Sequence, residues 1–266
     1  MPELPEVETI ARALKPELVG RTILAVDLRW ARTLAIPSPA QFKKQIVGQE
    51  ILDISRRAKY LVIRLKTYNF LIHLRMSGDL AVRAGKIKPE KHDRLLLYLS
   101  DQNYLAFNDT RKFGRVWLTD QPEKILGKLG PEPLEKSFTA QWLFENLRQR
   151  KRSLKPLLLD QTFIAGLGNI YTDECLHIAQ LHPLAASNNV TQKQAEALHK
   201  AIRTVLKEGI RRNGASIDWV YRGGEFQNYF RVYQRTGQPC PECGTPVERI
   251  VVGQRATLFS TECERV

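Results

Sequence analysis

Apolar positions near the start of the chain recur at three- and four-residue steps. Val7, Ile10, Ala11, Leu14 and Leu18 fall on one face of a helix over Pro5–Val19. Pro5 suits the first helical position, Glu6 and Glu8 the first turn and Gly20 the stop, and Pro16 is expected to kink the last turn. From residue 21 to about 118 the period shortens to two. Thr22, Leu24, Val26 and Leu28 alternate with Ile23, Ala25, Asp27 and Arg29, and Leu61, Ile63 and Leu65 alternate with Val62, Arg64 and Lys66. Further strands are expected at 50–55, 70–75, 93–100 and 104–107, with a loop at 32–39. Many short strands separated by turns predict a sandwich or flattened barrel.

Two prolines between Gly130 and Lys136 interrupt regular structure and mark a hinge over 130–138. Helical periodicity resumes beyond it. Thr139 can cap a helix running to about Arg150. Thr191 can cap a longer one with Ala195, Leu198, Ile202, Val205, Leu206 and Ile210 inward, ending at Asn213-Gly214. Between them Leu154–Asp160 and the glycine turn leading into Tyr171 outline a helix–turn–helix variant. From about Phe226 the pattern changes again, and Phe230–Gln234 reads as strand. The fold class is α+β: a helix and β-sandwich over 1–129, helices over 139–225 and a ribbon-like tail over 226–266.

Charge narrows the partner. The 266 residues carry 41 Lys+Arg against 28 Asp+Glu, a formal net charge of +13, which points to a polyanion and to nucleic acid ahead of a membrane surface. No run approaches the roughly 18 apolar residues of a membrane span, and acids occupy the place of a signal-peptide core. A cytoplasmic protein is expected, so the 4 cysteines read as thiols or metal ligands. Cys240-Pro-Glu-Cys243 is a metal-knuckle spacing. With Cys263 as one member of a second knuckle, a cysteine is called for at 260; Ser260 stands there, and no histidine follows His199.

The chain opens Met1-Pro2-Glu3-Leu4-Pro5-Glu6. Trimming of Met1 would leave Pro2 with a free secondary amine. An α-amino group has a pKa of roughly 7.7–8.0, against about 10.4 for lysine, so part of it is neutral near pH 7. A neutral amine can attack a sugar C1′ and form an iminium. The plain alternative is that Pro2 only stiffens the start of the helix.

Six blocks together resemble the formamidopyrimidine-DNA glycosylases, in that family's order and over nearly the whole chain. They are Pro2–Thr9, Arg57–Tyr60, His73–Gly78, Asp109–Gly114, Gly166–Tyr171 and Gln254–Thr257. The resemblance implies a bifunctional enzyme that flips out and excises oxidised purines, 8-oxoguanine and formamidopyrimidines, and then cuts the abasic strand. It implies a helix-two-turn-helix domain and a zinc-finger-like tail. Pro2 would be the nucleophile on C1′, and Glu3 the general acid that opens the sugar ring. The helix N-terminus favours a charged carboxylate, so the acid role of Glu3 calls for desolvation. Glu6 would orient water or Glu3. Lys59 would serve β-elimination, and Arg255 would stabilise the phosphate leaving in δ-elimination.

A flipped base leaves a hole in the duplex. By resemblance Phe113 would wedge between base pairs, Arg111 would face the orphaned cytosine and Met76 would fill the void. Asn169, at a helix N-terminus after two glycines, suits phosphate binding, with Tyr171 in the same block. His73, His92, Lys151 and Lys155 are further expected phosphate contacts, and the segment from Ala215 to Tyr229 matches the family's loop over the flipped base. The tail departs from the family: either zinc would have Cys240, Cys243 and Cys263, with water or a carboxylate such as Glu262 in place of a fourth cysteine, or no zinc binds and strand pairing alone holds the ribbon. Double-stranded DNA carrying oxidised purines is the expected partner of a monomer associated with the nucleoid. Two other readings compete, an endonuclease VIII-like enzyme acting on oxidised pyrimidines and a non-catalytic architectural DNA binder.

Overall fold

The computed structural model describes residues 1–216 and 223–265. The chain forms two compact units, one over Met1–Lys128 and one over Leu129–Ala215 continued from Gly224.

In the first unit, helix α1 (Leu4–Leu18) turns Leu4, Val7, Ile10, Ala11, Leu14 and Leu18 inward, the face its periodicity predicts. The Glu3 N–H donates to Glu6 Oε2 at 2.7 Å, which satisfies a backbone donor that helix geometry leaves open. Eight strands with antiparallel neighbours and one parallel edge strand follow. Strands β1 (Ile23–Leu28), β7 (Asp93–Leu99), β8 (Asn103–Asp109) and β6 (Gly78–Ala84) form one sheet in that order. The second sheet runs β2 (Leu34–Ile36), β9 (Arg115–Thr119), β5 (Asn69–His73), β4 (Tyr60–Leu65), β3 (Ile51–Arg57), with β2 parallel to β9. The two sheets share one core with α1, in which Ile54, Leu61, Ile63, Phe70, Ile72 and Val116 meet Leu80, Leu95, Leu97, Leu105 and Phe107. Each such side chain contributes about 1.5–3 kcal/mol when fully buried.

Residues 32–39 are not a plain loop. They hold a short 3₁₀ turn, β2 and the start of helix α2 (Pro39–Ile46). Ser38 caps α2 and Gln41 reaches back, a capping box with proline at the first position. The Ser-Pro-Ala-Gln signal for this lay in the sequence. A short helix α3 (Glu123–Leu126) closes the unit.

The second unit holds α4 (Ala140–Arg148), α5 (Leu154–Leu158), α6 (Asn169–Ala179) and α7 (Gln192–Arg211). Thr139 and Thr191 cap α4 and α7 by accepting N–H bonds from Trp142 and Gln194. Helix α7 packs an amphipathic face on α4 and α6. In contrast, α6 is buried on nearly every side, including Thr172, Asp173, Glu174 and His177. Its acids are spent on the tail. Leu258 N donates to Asp173 Oδ2 at 3.1 Å, and the N–H groups of Arg231, Val232 and Tyr233 converge on the Glu174 carboxylate at 2.9–3.1 Å. Phe230–Gln234 is therefore a turn wrapped on a buried carboxylate, not the expected strand. The tail's ribbon is β10 (Glu248–Val252) paired antiparallel with β11 (Arg255–Phe259). Gly253 and Gln254 join them at φ 55° and 63°, the positive φ that a two-residue hairpin turn demands. Among the described residues no helix is long and apolar enough to cross a membrane.

Candidate functional site

In the first unit Pro2 and Glu3 are buried at the start of α1, with Glu3 only 3% exposed, the desolvation its acid role calls for. Glu6, 2% exposed, holds the Glu3 backbone, so its visible work is to fix the position of Glu3. Alongside, Arg56 on β3 donates to Glu8 of α1 at 3.1 Å. The β3–β4 turn bends through Ala58 at φ 52° and leaves Lys59 5% exposed. Tyr60 pairs with His73 across β4–β5, and their rings meet edge to face at 4.7 Å.

His73 is largely buried. It is 7% exposed, its Nδ1 accepts the Arg75 N–H at 3.1 Å, and burial, with the Arg75 and Lys59 charges beside it, lowers its pKa to about 3. With Nδ1 accepting, the neutral ring keeps its proton on Nε2, the atom that could still donate to a phosphate. His92 is half-buried and meets Arg94 Nη2 through Nδ1 at 3.1 Å, so it sits at a surface with a guanidinium partner.

The expected filling set converges at one end of the β6–β8 pair. Met76 lies in the turn before β6, and Arg111 and Phe113 lie in the turn after β8. Fully buried Asp109 ties the two turns together. Its carboxylate accepts from the Ser77 hydroxyl, from Arg111 N at 3.2 Å and from Gly114 N at 2.7 Å. A Cβ on Gly114 would stand 2.3 Å from Phe107 Cζ, so the turn closes only over glycine. The result pushes Arg111 and Phe113 outward. Phe113 is 50% exposed, with the Arg111 guanidinium 4.9 Å from its ring centre. Ser77 and Asp109 are the positioning pair that sequence reading quoted in its motifs without giving it a task.

In the second unit Asn169 is the first residue of α6, capped by Gly168, and its Nδ2 donates to Ala256 O at 2.9 Å. Lys155 donates to the same carbonyl at 2.8 Å and pairs with Asp173 at 2.6 Å, both ends of that pair fully buried. Lys155 is thus a core cation and not a phosphate contact. Burial raises the Asp173 pKa to about 7, against the opposing pull of Lys155. Pinning of Ala256 fixes the residue next to Arg255, which stays exposed at the ribbon tip. Lys151 is exposed before α5. The Tyr171 ring is fully buried and stacked on Phe226 at 5.1 Å, so it belongs to the core and does not reach out. Of the loop over 215–229, residues 217–222 lie outside the described residues.

In the tail, Cys240 Sγ stands 3.8 Å from Cys263 Sγ, and Cys243 Sγ 3.2 Å from Ser260 Oγ. Glu262 is engaged by Arg265. His177 of α6, which sequence reading did not connect with the tail, brings Nε2 to 3.2 Å from Cys240 Sγ. With 63 positions between them, only the fold could reveal this pair.

A sandwich led by a helix with proline in its first turn, and a helical unit carrying a ribbon tail, make the architecture of a DNA glycosylase. Domain models agree: the formamidopyrimidine-DNA glycosylase N-terminal domain matches residues 1–116, the H2TH domain of the same glycosylase 129–220, and the zinc finger found in FPG and IleRS 237–266. The chain is 42% identical to the formamidopyrimidine-DNA glycosylase of Pelotomaculum thermopropionicum, covering 100% of both chains. It is 46% identical to that of Chloroflexus aggregans, covering 99% of this chain and 98% of the other. Among solved structures it superimposes on Lactococcus lactis Fpg bound to DNA containing an abasic site, with TM-score 0.93, 36% identity and coverage of 99% and 100%. It superimposes on the wild-type L. lactis enzyme bound to N7-benzyl-Fapy-dG DNA with TM-score 0.94, 37% identity and 100% coverage of both. The chain belongs to the formamidopyrimidine-DNA glycosylase family.

Proposed function

We infer that this chain is a DNA glycosylase and abasic-site lyase that removes oxidised purines and formamidopyrimidine lesions from duplex DNA. The observation that carries the reading is a buried imino acid, Pro2, set beside a desolvated Glu3 at a capped helix start. Once Met1 is removed, the Pro2 nitrogen lone pair forms a bond to C1′ of the flipped nucleoside. Glu3 gives its proton to the ring oxygen O4′ as the C1′–O4′ bond opens, and the base leaves with the C1′–N9 electron pair and takes up the proton that the Pro2 nitrogen loses as the iminium forms. The iminium formed acidifies the C2′ proton. Its removal, with Lys59 serving this step, expels the 3′ phosphate, and a second elimination expels the 5′ phosphate. Arginine stays protonated at neutral pH, so Arg255 acts as a fixed charge on a departing phosphate. Phe113, Arg111 and Met76 hold the vacated duplex open while the base is out. Asn169, His92 and Lys151 hold the backbone.

The tail would hold one zinc ion through Cys240, Cys243 and Cys263. Two of these thiols already stand at 3.8 Å, roughly the edge of a tetrahedron built on Zn–S bonds of about 2.3 Å. Bound zinc supplies no reaction step; it clamps the turns that carry the ribbon and Arg255.

Borohydride trapping tests the chemistry. Reduction during turnover of an 8-oxoguanine:cytosine duplex is expected to give a covalent adduct that peptide mapping assigns to Pro2. An N-terminal extension that keeps Pro2 in a peptide bond is expected to abolish it. Trapping by the extended chain at the parent's rate would place the nucleophile elsewhere.

A further inference from the structure

We propose that His177, on helix α6, is the fourth ligand of the tail's zinc site and replaces the cysteine that Ser260 displaced. The inference rests on the zinc reading above and adds the ligand that the tail itself lacks. His177 Nε2, Cys240 Sγ and Cys263 Sγ all lie within 4.8 Å of one another, and two of them are buried. Nε2 is 3.2 Å from Cys240 Sγ, and the two thiols are 3.8 Å apart. A tetrahedral ion with Zn–S of about 2.3 Å and Zn–N of about 2.0–2.1 Å has edges of roughly 3.5–3.8 Å, so the three atoms need only small adjustments. Cys243 stands outside this close cluster but hydrogen-bonds Cys263 through its thiol, so it would have to swing inward to complete the shell. The set is then three thiolates and one imidazole, a common structural zinc shell.

The competing fourth ligands are weaker. Glu262 is exposed and paired with Arg265. Ser260 is fully buried, but its hydroxyl takes the Cys263 N–H at 3.4 Å and meets Cys243 at 3.2 Å. An alcohol oxygen is also a poor zinc ligand beside an imidazole. Helical spacing explains how α6 can supply the ligand. His177 stands four residues after Asp173 and three after Glu174, so it is a surface neighbour of both on the helix. Those two acids already bind the tail through Leu258 and through Arg231, Val232 and Tyr233. His177 extends that seam by one turn, so the ion would join the helix to the ribbon, where a site made only of tail residues would close the tail upon itself.

The test is zinc K-edge absorption on the full chain purified without added metal, together with metal content. One zinc per chain with three sulfurs and the multiple-scattering signature of an imidazole is expected. Zinc with three sulfurs and an oxygen, without imidazole, would overturn the role of His177 and leave the zinc reading standing. Chain that is folded but free of zinc would overturn both. In chelator competition, His177→Gln is expected to weaken zinc by more than about tenfold, and Ser260→Cys in that background to restore it. His177→Gln with parental zinc affinity would also overturn the assignment. The wild-type spectrum needs no variant to fold, so the proposal stays testable if His177→Gln does not.

Discussion

At the scale of single residues, burial sorts the expected site more sharply than residue type does. Sequence reading put histidines, lysines and a tyrosine on DNA because those types suit phosphate. The fold keeps Lys151, Arg111 and Arg255 outside and draws His73, Lys155 and Tyr171 inside. His73 gives a measurable consequence. Its folded pKa is about 3 against an ordinary 6.5, so it is neutral in the native state and charged when unfolded at low pH. A depressed folded value means its contribution is fully present above pH 6.5 and is lost as pH falls toward 3. In that window unfolding takes up to one proton, so stability falls by up to about 1.4 kcal/mol per pH unit. Hydrogen-exchange protection of β4 and β5 is expected to drop faster with acid in the parent than in His73→Gln. Parallel pH profiles for the two would show that the ring titrates normally.

At the scale of elements, α6 is the piece on which the second unit depends, and its buried ion pair is the place to test that. Lys155 and Asp173 are both fully buried and 2.6 Å apart. Removing one partner leaves an uncompensated charge, at a cost of about 3–5 kcal/mol. Lys155→Met is therefore expected to lower the denaturation midpoint of the second unit severely. Adding Asp173→Asn, whose amide oxygen can still accept from Leu258 N, is expected to recover most of the loss. A Lys155→Met chain within about 1 kcal/mol of the parent would show that Asp173 is not charged there. The same helix shows why parts of the fold were hidden in the sequence. Helices α1 and α7 each have one wet face, so the period of 3.6 is plain in their letters. Helix α6 has almost no wet face; its Thr-Asp-Glu run reads as solvent-facing, yet Asp173 and Glu174 accept tail backbone N–H groups 57–85 positions away. Strand β9 was missed for a different reason. β9 lies between β2 and β5, and a five-residue strand offers too few alternations to count. The family resemblance was legible because short continuous blocks carry it. The link between His177 and Cys240 was not, because no local pattern encodes it.

For the whole molecule, the net charge of +13 makes a quantitative claim about DNA binding. Part of the positive charge is committed internally, at Arg56 with Glu8, Arg83 with Asp93 and Lys155 with Asp173. Exposed cations such as Arg111, Lys112, Lys151 and Arg255 are those that can displace counterions. Each phosphate neutralised contributes a slope of about −0.9 to log K against log salt, and 6–10 contacts would cost roughly 10³–10⁵ in affinity between 50 and 200 mM. The residues separate by this slope. Lys151→Ala removes a point charge, so it is expected to lower the steepness by about 1 and to weaken lesion and undamaged duplexes alike. Phe113→Ala removes an apolar wedge, so it is expected to leave the slope unchanged and to reduce the preference for a flipped-base complex. Titrations of both variants at several salt concentrations, on an abasic-analogue duplex and its undamaged counterpart, read the two effects separately. A Phe113→Ala chain whose salt slope falls while its lesion preference holds would mean that the exposed ring packs against the backbone, and that the Asp109 turn presents charge and no wedge.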